Sequence, residues 1–250
     1  MQNVAMEAKD VDAAAPGVGA LVEAQLHELS PGQLEDVYRK VLEPSFRPEE
    51  LMGFQEFLAD YADDGNDLSC VLLRAEAPIA VMLGERYADG QVLLLGYLAV
   101  LEEARGSGAG SHMMRSVLPR WYANVPGVLV LAEVDDPRSW NTDSHRGDPV
   151  GRLRFYERHG ARLLPFSYFQ PSLRPGSPRV RGMFLLRLDR SSKVPPGLLN
   201  TFLTEYFTVC EGTESLDEPE VGALLSRAHA VDLQTGMWSV SRWAELPADV

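Results

Sequence analysis

The spacing of apolar residues changes period several times along the chain, and each change predicts an element. Leu21–Leu29 alternates apolar and polar positions, which suits a first strand. Ser30-Pro31 then supplies a cap and a proline for a first helical turn, followed by Leu34, Val37, Tyr38, Val41 and Leu42 at helical spacing. Pro44 closes that helix, and Pro48-Glu49-Glu50 predicts the start of another, running through Leu51, Phe54, Phe57, Leu58 and Tyr61. After the turn Asp63-Asp64-Gly65-Asn66, three strands are expected at Leu68–Ala75, Ile79–Arg86 and Gln91–Leu101. A glycine-rich turn at Arg105–Gly110 leads into a helix carrying Met113, Met114, Val117, Leu118 and Trp121. A fifth strand follows at Val128–Val134, then a long polar loop over 135–148, then a helix Pro149–His159 closed by Gly160. Two strands, Ala161–Phe169 and Val180–Leu188, flank a Pro/Gly-rich loop at 171–178. Beyond Pro195-Pro196, two further helical stripes carry Leu198, Leu199, Phe202, Leu203 and Tyr206, then Val221, Leu224, Leu225 and Ala228.

This order, β-α-α-β-β-β-α-β-α-β-β with added helices, predicts an α/β fold (α+β in layout) around a twisted, mostly antiparallel sheet. The exception is a parallel pair of the fourth and fifth strands, because a helix joins them. Residues 1–18 lack any period and are expected to be a flexible tail, 19–190 the main domain and 191–250 a helical extension. The stripes of the extension are expected to pack on the sheet or across a homodimer contact.

Composition narrows the function classes. At 250 residues and 45% hydrophobic, the chain can bury a substantial core. Its most apolar run, Val92–Leu101, is about half the length of a membrane span. The N-terminus has no cationic start followed by an apolar run, so a cytoplasmic protein without membrane attachment is expected. The net charge of −13 argues against nucleic acid as a partner. That charge is uneven: residues 138–190 hold 11 arginines against 4 acids, inside an otherwise acidic chain. This stretch either lines an anion pocket or balances the acidic N-terminal third. Cys70 and Cys210 have no ligand or disulfide spacing and read as buried thiols.

The informative segment is Leu98–Ser111, an apolar strand running into a turn with three glycines and then a helix. Such a turn points successive backbone N–H groups at an anion, backed by the positive end of the helix dipole. Side chains at Gly108 and Gly110 would keep a phosphate from that backbone. The dinucleotide fingerprint does not fit glycines at 106, 108 and 110, and no Gly-Lys-Ser/Thr is present for a P-loop.

The pattern that fits is Arg-x-x-Gly-x-Gly, at Arg105, Gly108 and Gly110, and here the chain resembles the GNAT superfamily of N-acetyltransferases. Ala99-Val100 sit where that family has its strand-end hydrophobic-Val pair, Leu131–Val134 resembles its fifth strand, and Phe155-Tyr156-Glu157-Arg158-His159-Gly160 resembles its helix motif. The resemblance spans roughly 20–190. It implies acetyl-CoA, or another acyl-CoA, as co-substrate, with no metal. The backbone of Leu98, Ala99 and Val100 would pair with the pantetheine arm, and Arg105, Gly106, Ser107, Gly108, Ala109, Gly110 and Ser111 would hold the pyrophosphate. The fourth and fifth strands would splay to admit the thioester. Tyr156 matches the family's general acid and Glu133 the base of some members. Glu85 and Glu102 are weaker alternatives for the base. The chain departs from the family pattern at Pro149, where Asn is common, at Ala161, where an aromatic is usual, and at Gly96-Tyr97, where many members have a carboxylate.

The expected activity is transfer of an acyl group, in the first instance acetyl, from CoA to an amine on a small molecule or protein. The rivals are a non-catalytic acyl-CoA sensor, and an acyltransferase acting on a hydroxyl or an acidic metabolite. His145, in the long loop, and an aromatic wall of Trp140 with Phe166–Phe169 are candidate acceptor contacts. His112 reads as a surface or capping residue.

Overall fold

A computed structural model of the protein describes residues 20–123, 125, 127–142, 147–189, 191 and 194–247. The expected tail at 1–18, and His145 with its neighbours 143–146, lie outside the described residues. The strands are β1 Leu21–Ala24, β2 Ser69–Arg74, β3 Ala77–Tyr87, β4 Val92–Val100, β5 Leu129–Asp135, β6 Arg162–Leu163, β7 Tyr168–Gln170, β8 Val180–Arg187 and β9 Trp238–Ser239. They form one sheet in the order β1-β2-β3-β4-β5-β8-β6-β9, with β7 pairing on β8. Among the described strands only β4 and β5 pair in parallel, as the connecting helix requires.

Helices cover both faces, because strand residues are apolar on both sides. Leu93, Leu95, Val130 and Ala132 face α3 (Ala109–His112), its π-helical continuation Met113–Val117, α4 (Leu118–Tyr122) and α5 (Pro149–Arg158). Pro119 has no N–H to donate, and the widened turn before it carries the helix past the defect. The opposite face is divided. Val71, Val81, Leu83, Tyr97 and Ala99 pack against α1 (Pro31–Asp36, continued by Val37–Leu42) and α2 (Phe54–Tyr61). Val92, Leu94, Leu129 and Leu131 pack against α6 (Leu198–Glu211) and α7 (Pro219–His229). The apolar stripes of the C-terminal segment are thus buried against the sheet, with Phe202, Leu203 and Phe207 fully enclosed.

Four local expectations change. The alternating run at 21–29 is a strand only to Ala24; Leu26–Glu28 is a tight turn that buries Leu26, and Leu29 after it is buried too. The second helix starts at Phe54 rather than Pro48, because Gly53 and Glu56 cap it. The strand expected at 161–169 is broken by Pro165 into β6 and β7. The C-terminal segment is not wholly helical. β9 adds to β6 at the sheet edge, and Val240 and Leu246 then pack on the α3–α5 face.

The feature that shapes the site lies in β4. Leu83 pairs with Tyr97 and Gly84 with Leu95, so Gly96 is an extra residue, a β-bulge. Pairing of β4 with β5 ends at Leu95–Ala132, one residue before it. Beyond that point the two strands run on, to Val100 and Asp135, without a ladder between them. A side chain at Gly96 would meet the Glu85 carboxylate, 3.0 Å from a Cβ.

Candidate active site

The gap between β4 and β5 opens into a cavity of about 430 Å³. Leu98, Ala99 and Val100 form one wall, their outer backbone edge paired to Met82, Val81 and Ala80 and their inner edge turned to the gap. Arg105, Gly110, Glu50, Glu133, Asp135 and Arg152 also line it. Tyr156 and Phe155 reach in from α5.

In the glycine turn, Gly106, Ser107 and Gly108 are exposed, whereas Ala109 packs into the core. The glycines do different jobs. Gly106 and Gly108 have φ of +78° and +89°, and a Cβ at either would meet open space; their role is conformational. A Cβ on Gly110 would press on Phe155 (3.4 Å) and Val100 (3.5 Å), so its role is close packing of helix, strand and α5. The first helical bond runs from the His112 N–H to the Gly108 carbonyl (2.8 Å). The N–H groups of the preceding first turn therefore lie outside the helix's own ladder. Ser111 borders a second cavity of about 490 Å³, with Arg115, Arg158 and His159.

Glu133 and Tyr156 approach from opposite faces of the sheet. Glu133 points to the α6–α7 side, where its Oε1 accepts the Tyr168 hydroxyl and its Oε2 accepts Gln170 Nε2 (2.6 Å) and the Tyr206 hydroxyl (3.4 Å). Burial pushes its carboxyl up to about 7; the hydrogen bonds from Tyr168 and Gln170 oppose this, and the charges of Glu85 and Glu50 add to it. Tyr156 is buried on the α3–α5 side, and burial pushes its phenol up to about 12. Among the described residues its hydroxyl has no hydrogen-bond partner.

Asp135, two residues beyond Glu133, is buried with different partners: Arg47 Nη2 (2.8 Å) and the Arg152 guanidinium. Arg47 also pairs with Glu50 and lies 3.6 Å from the centre of the Trp140 ring. The network ties the loop before α2 across the mouth of the gap to β5 and α5.

The other candidates fall elsewhere. Glu85 lies on the far side of β4, held by Tyr61 (2.5 Å) and Tyr87 (2.6 Å). Glu102 sits exposed in the turn before the loop. His112 bonds Glu23 of β1 (2.5 Å). Phe166, Tyr168 and Phe169 are buried under α6 and α7 rather than walling a cavity. Much of the arginine-rich stretch is structural: Arg138 pairs with Asp136, Arg179 with Glu211, Arg181 with Glu220 and Arg187 with Asp189. Among the described residues no group of three or more side chains could hold a metal ion, and no helix is long and apolar enough to cross a membrane. Sequence reasoning missed Glu50, Asp135 and Arg152 at the cavity and Gln170 and Tyr206 behind Glu133, and it offered Tyr168 only as part of an acceptor wall; none sits in a motif.

Residues 34–161 match the acetyltransferase (GNAT) family. This chain therefore belongs to that family, and its mixed, mostly antiparallel sheet flanked by helices is the family's fold. No curated protein sequence matches it. Similar solved structures include Naa50 of Arabidopsis thaliana in complex with the bisubstrate analogue CoA-Ac-MVNAL (14% identity, 68% of this chain and 99% of that one, TM-score 0.48). Another is Ard1 of Thermoplasma volcanium (19%, 68% and 99%, 0.46). A third is the ribosomal-protein-S18-alanine N-acetyltransferase of Escherichia coli (12%, 69% and 96%, 0.46).

Proposed function

We propose that the protein transfers an acetyl group from acetyl-CoA to an amine, with Glu133 as general base and Tyr156 as general acid. The observation that carries this is the single cavity in the β4–β5 gap, bordered at once by the open edge of Leu98–Val100, by Arg105 and Gly110, and by Glu133 and Tyr156. The open strand edge offers backbone groups to the pantetheine amides. The first-turn N–H groups of the Arg105–Ser111 loop suit the pyrophosphate. Arg115, Arg158 and His159, beside Ser111, suit the remaining phosphate of CoA.

The chemistry needs a proton taken from the attacking ammonium and one given to the departing sulfur. A carboxyl poised at about 7 is half ionised near neutrality and can accept the first. The amine nitrogen then bonds the acetyl carbon as the carbon–sulfur bond breaks. A neutral phenol can donate to the thiolate, whose conjugate acid has a pKa near 8.5, and the Tyr156 hydroxyl has no competing acceptor among the described residues.

The test is calorimetry with acetyl-CoA, followed by a thiol-release screen over amine acceptors. Gly108→Asp should weaken acetyl-CoA binding by more than about 2 kcal/mol, whereas Gly108→Asn, of similar shape and tolerance for positive φ but uncharged, should keep most of it. Equal affinity in wild type and a folded Gly108→Asp would remove the loop from the binding site. Tight binding with no thiol release over a broad screen would make the protein a sensor instead.

A further inference from the structure

The three groups that hold Glu133 all lie beyond residue 161, where the family match ends. Tyr168 and Gln170 come from β7, and Tyr206 from α6. The register slips between Tyr168 and Gln170, which pair with Met183 and Val180 of β8, while Glu133 pairs with Leu185 of the same strand. One irregular strand thus presents two donors to a carboxylate on the neighbouring ladder.

The orientation of Gln170 shows that Glu133 dictates the arrangement. Gln170 is 7% exposed, and its Oε1 has no partner among the described residues. Turning the amide over would set that oxygen against a carboxylate oxygen, so the side chain keeps Nε2 on Glu133 and leaves its own carbonyl unpaired. Tyr168 is fully buried and Tyr206 is 2% exposed, so neither hydroxyl has bulk water as an alternative. A carboxylate has about four acceptor positions, and these donors fill three.

Taking Glu133 as the base, we propose that Tyr168, Gln170 and Tyr206 are positioning residues. They fix its carboxylate so that one acceptor position remains for the incoming amine, which makes β7 and α6, both outside the matched residues 34–161, part of the catalytic unit. The other groups around Glu133 are Glu85 on β3 and Glu50 in the loop before α2, whose charges raise it. Tyr87 and Tyr97, and Cys210 of α6, are pushed upward by burial and neighbouring carboxylates and stay neutral over the working range. Asp135 on the same strand is tied to Arg47 and Arg152. Against that fixed background, each donor favours the ionised form of Glu133, and removing one raises its titration midpoint.

The experiment titrates the full chain labelled with carbon-13 at the glutamate side-chain carboxyl, the Glu133 signal being the one lost in Glu133→Gln. Tyr168→Phe, the shorter contact, should move the midpoint up by about one pH unit, and Tyr206→Phe by less. The rising limb of the rate profile, measured with an amine found by the thiol-release screen, should move with it. A purely packing role would leave both unmoved. Unchanged midpoints in folded Tyr168→Phe and Tyr206→Phe overturn the proposal; should the first not fold, the second decides alone. If Glu133→Gln abolishes turnover while those midpoints stay put, the base stands and the positioning fails. If the midpoints move but Glu133→Gln keeps full turnover, the base reading fails and the proposal goes with it.

Discussion

Glu133 and Asp135 stand two residues apart on β5, side by side on one face, and border the same cavity. Their partners make them opposites. Asp135 meets two guanidinium groups, Arg47 and Arg152, and serves as the hub of an ion-pair network spanning the mouth of the gap. Glu133 meets two phenols and an amide, all neutral, and burial holds its carboxyl up near 7. Cationic partners commit the Asp135 carboxylate to ion pairs, whereas neutral donors orient that of Glu133 and leave its proton affinity to the surroundings. The difference between a strut and the proposed base is therefore written in residues far away in sequence, not in the two acids themselves.

Substitution of either carboxylate tests this contrast. The largest effect is expected from Glu133→Gln, which should lower turnover by about 10²- to 10³-fold and abolish the low-pH limb. That limb in the wild type should be centred near pH 7: below it the carboxyl is protonated and the rate falls about tenfold per unit. Asp135→Asn should do the reverse, costing about 3 kcal/mol of stability by leaving the buried Arg47 with only part of its charge partners. Thermal or denaturant unfolding reads this directly, and a loss of turnover without loss of stability would erase the distinction. The smallest effect is expected from Tyr156→Phe, about 10- to 100-fold in kcat with acetyl-CoA affinity little changed. An unaltered kcat would mean that the leaving thiolate takes its proton from elsewhere.

The parts of the fold that were legible in sequence are those with local signatures. β2 to β5 show as apolar runs between turn residues, and the Arg105–Ser111 loop and α5 carry the motifs of the family. Where the reading slipped, a distant contact had taken over a local signal. Glu50 looks like the acidic first turn of a helix, but its carboxylate is engaged by Arg47 and the helix waits until Phe54. The surplus arginines at 138–190 left an anion pocket and charge balance both open, because several of their partners lie 30 to 40 positions away, as with Arg179 and Glu211 or Arg181 and Glu220. The Glu133 donors are 35, 37 and 73 positions away, so nothing around residue 133 announces them. β9 is two residues long and has no period to detect.

The extra residue at Gly96 has a consequence for how the protein could change. On either side of it the alternation of β4 continues undisturbed: Leu93 and Leu95 pack toward α3–α5, as do Leu98 and Val100, while Tyr97 and Ala99 keep to the face of Leu94. A chain lacking Gly96 would keep every side chain at its present address. It would lose only the bend, and with it the divergence from β5 that opens the cavity. One codon therefore separates an ordinary closed sheet, richer in ladder hydrogen bonds, from one with an open cleft.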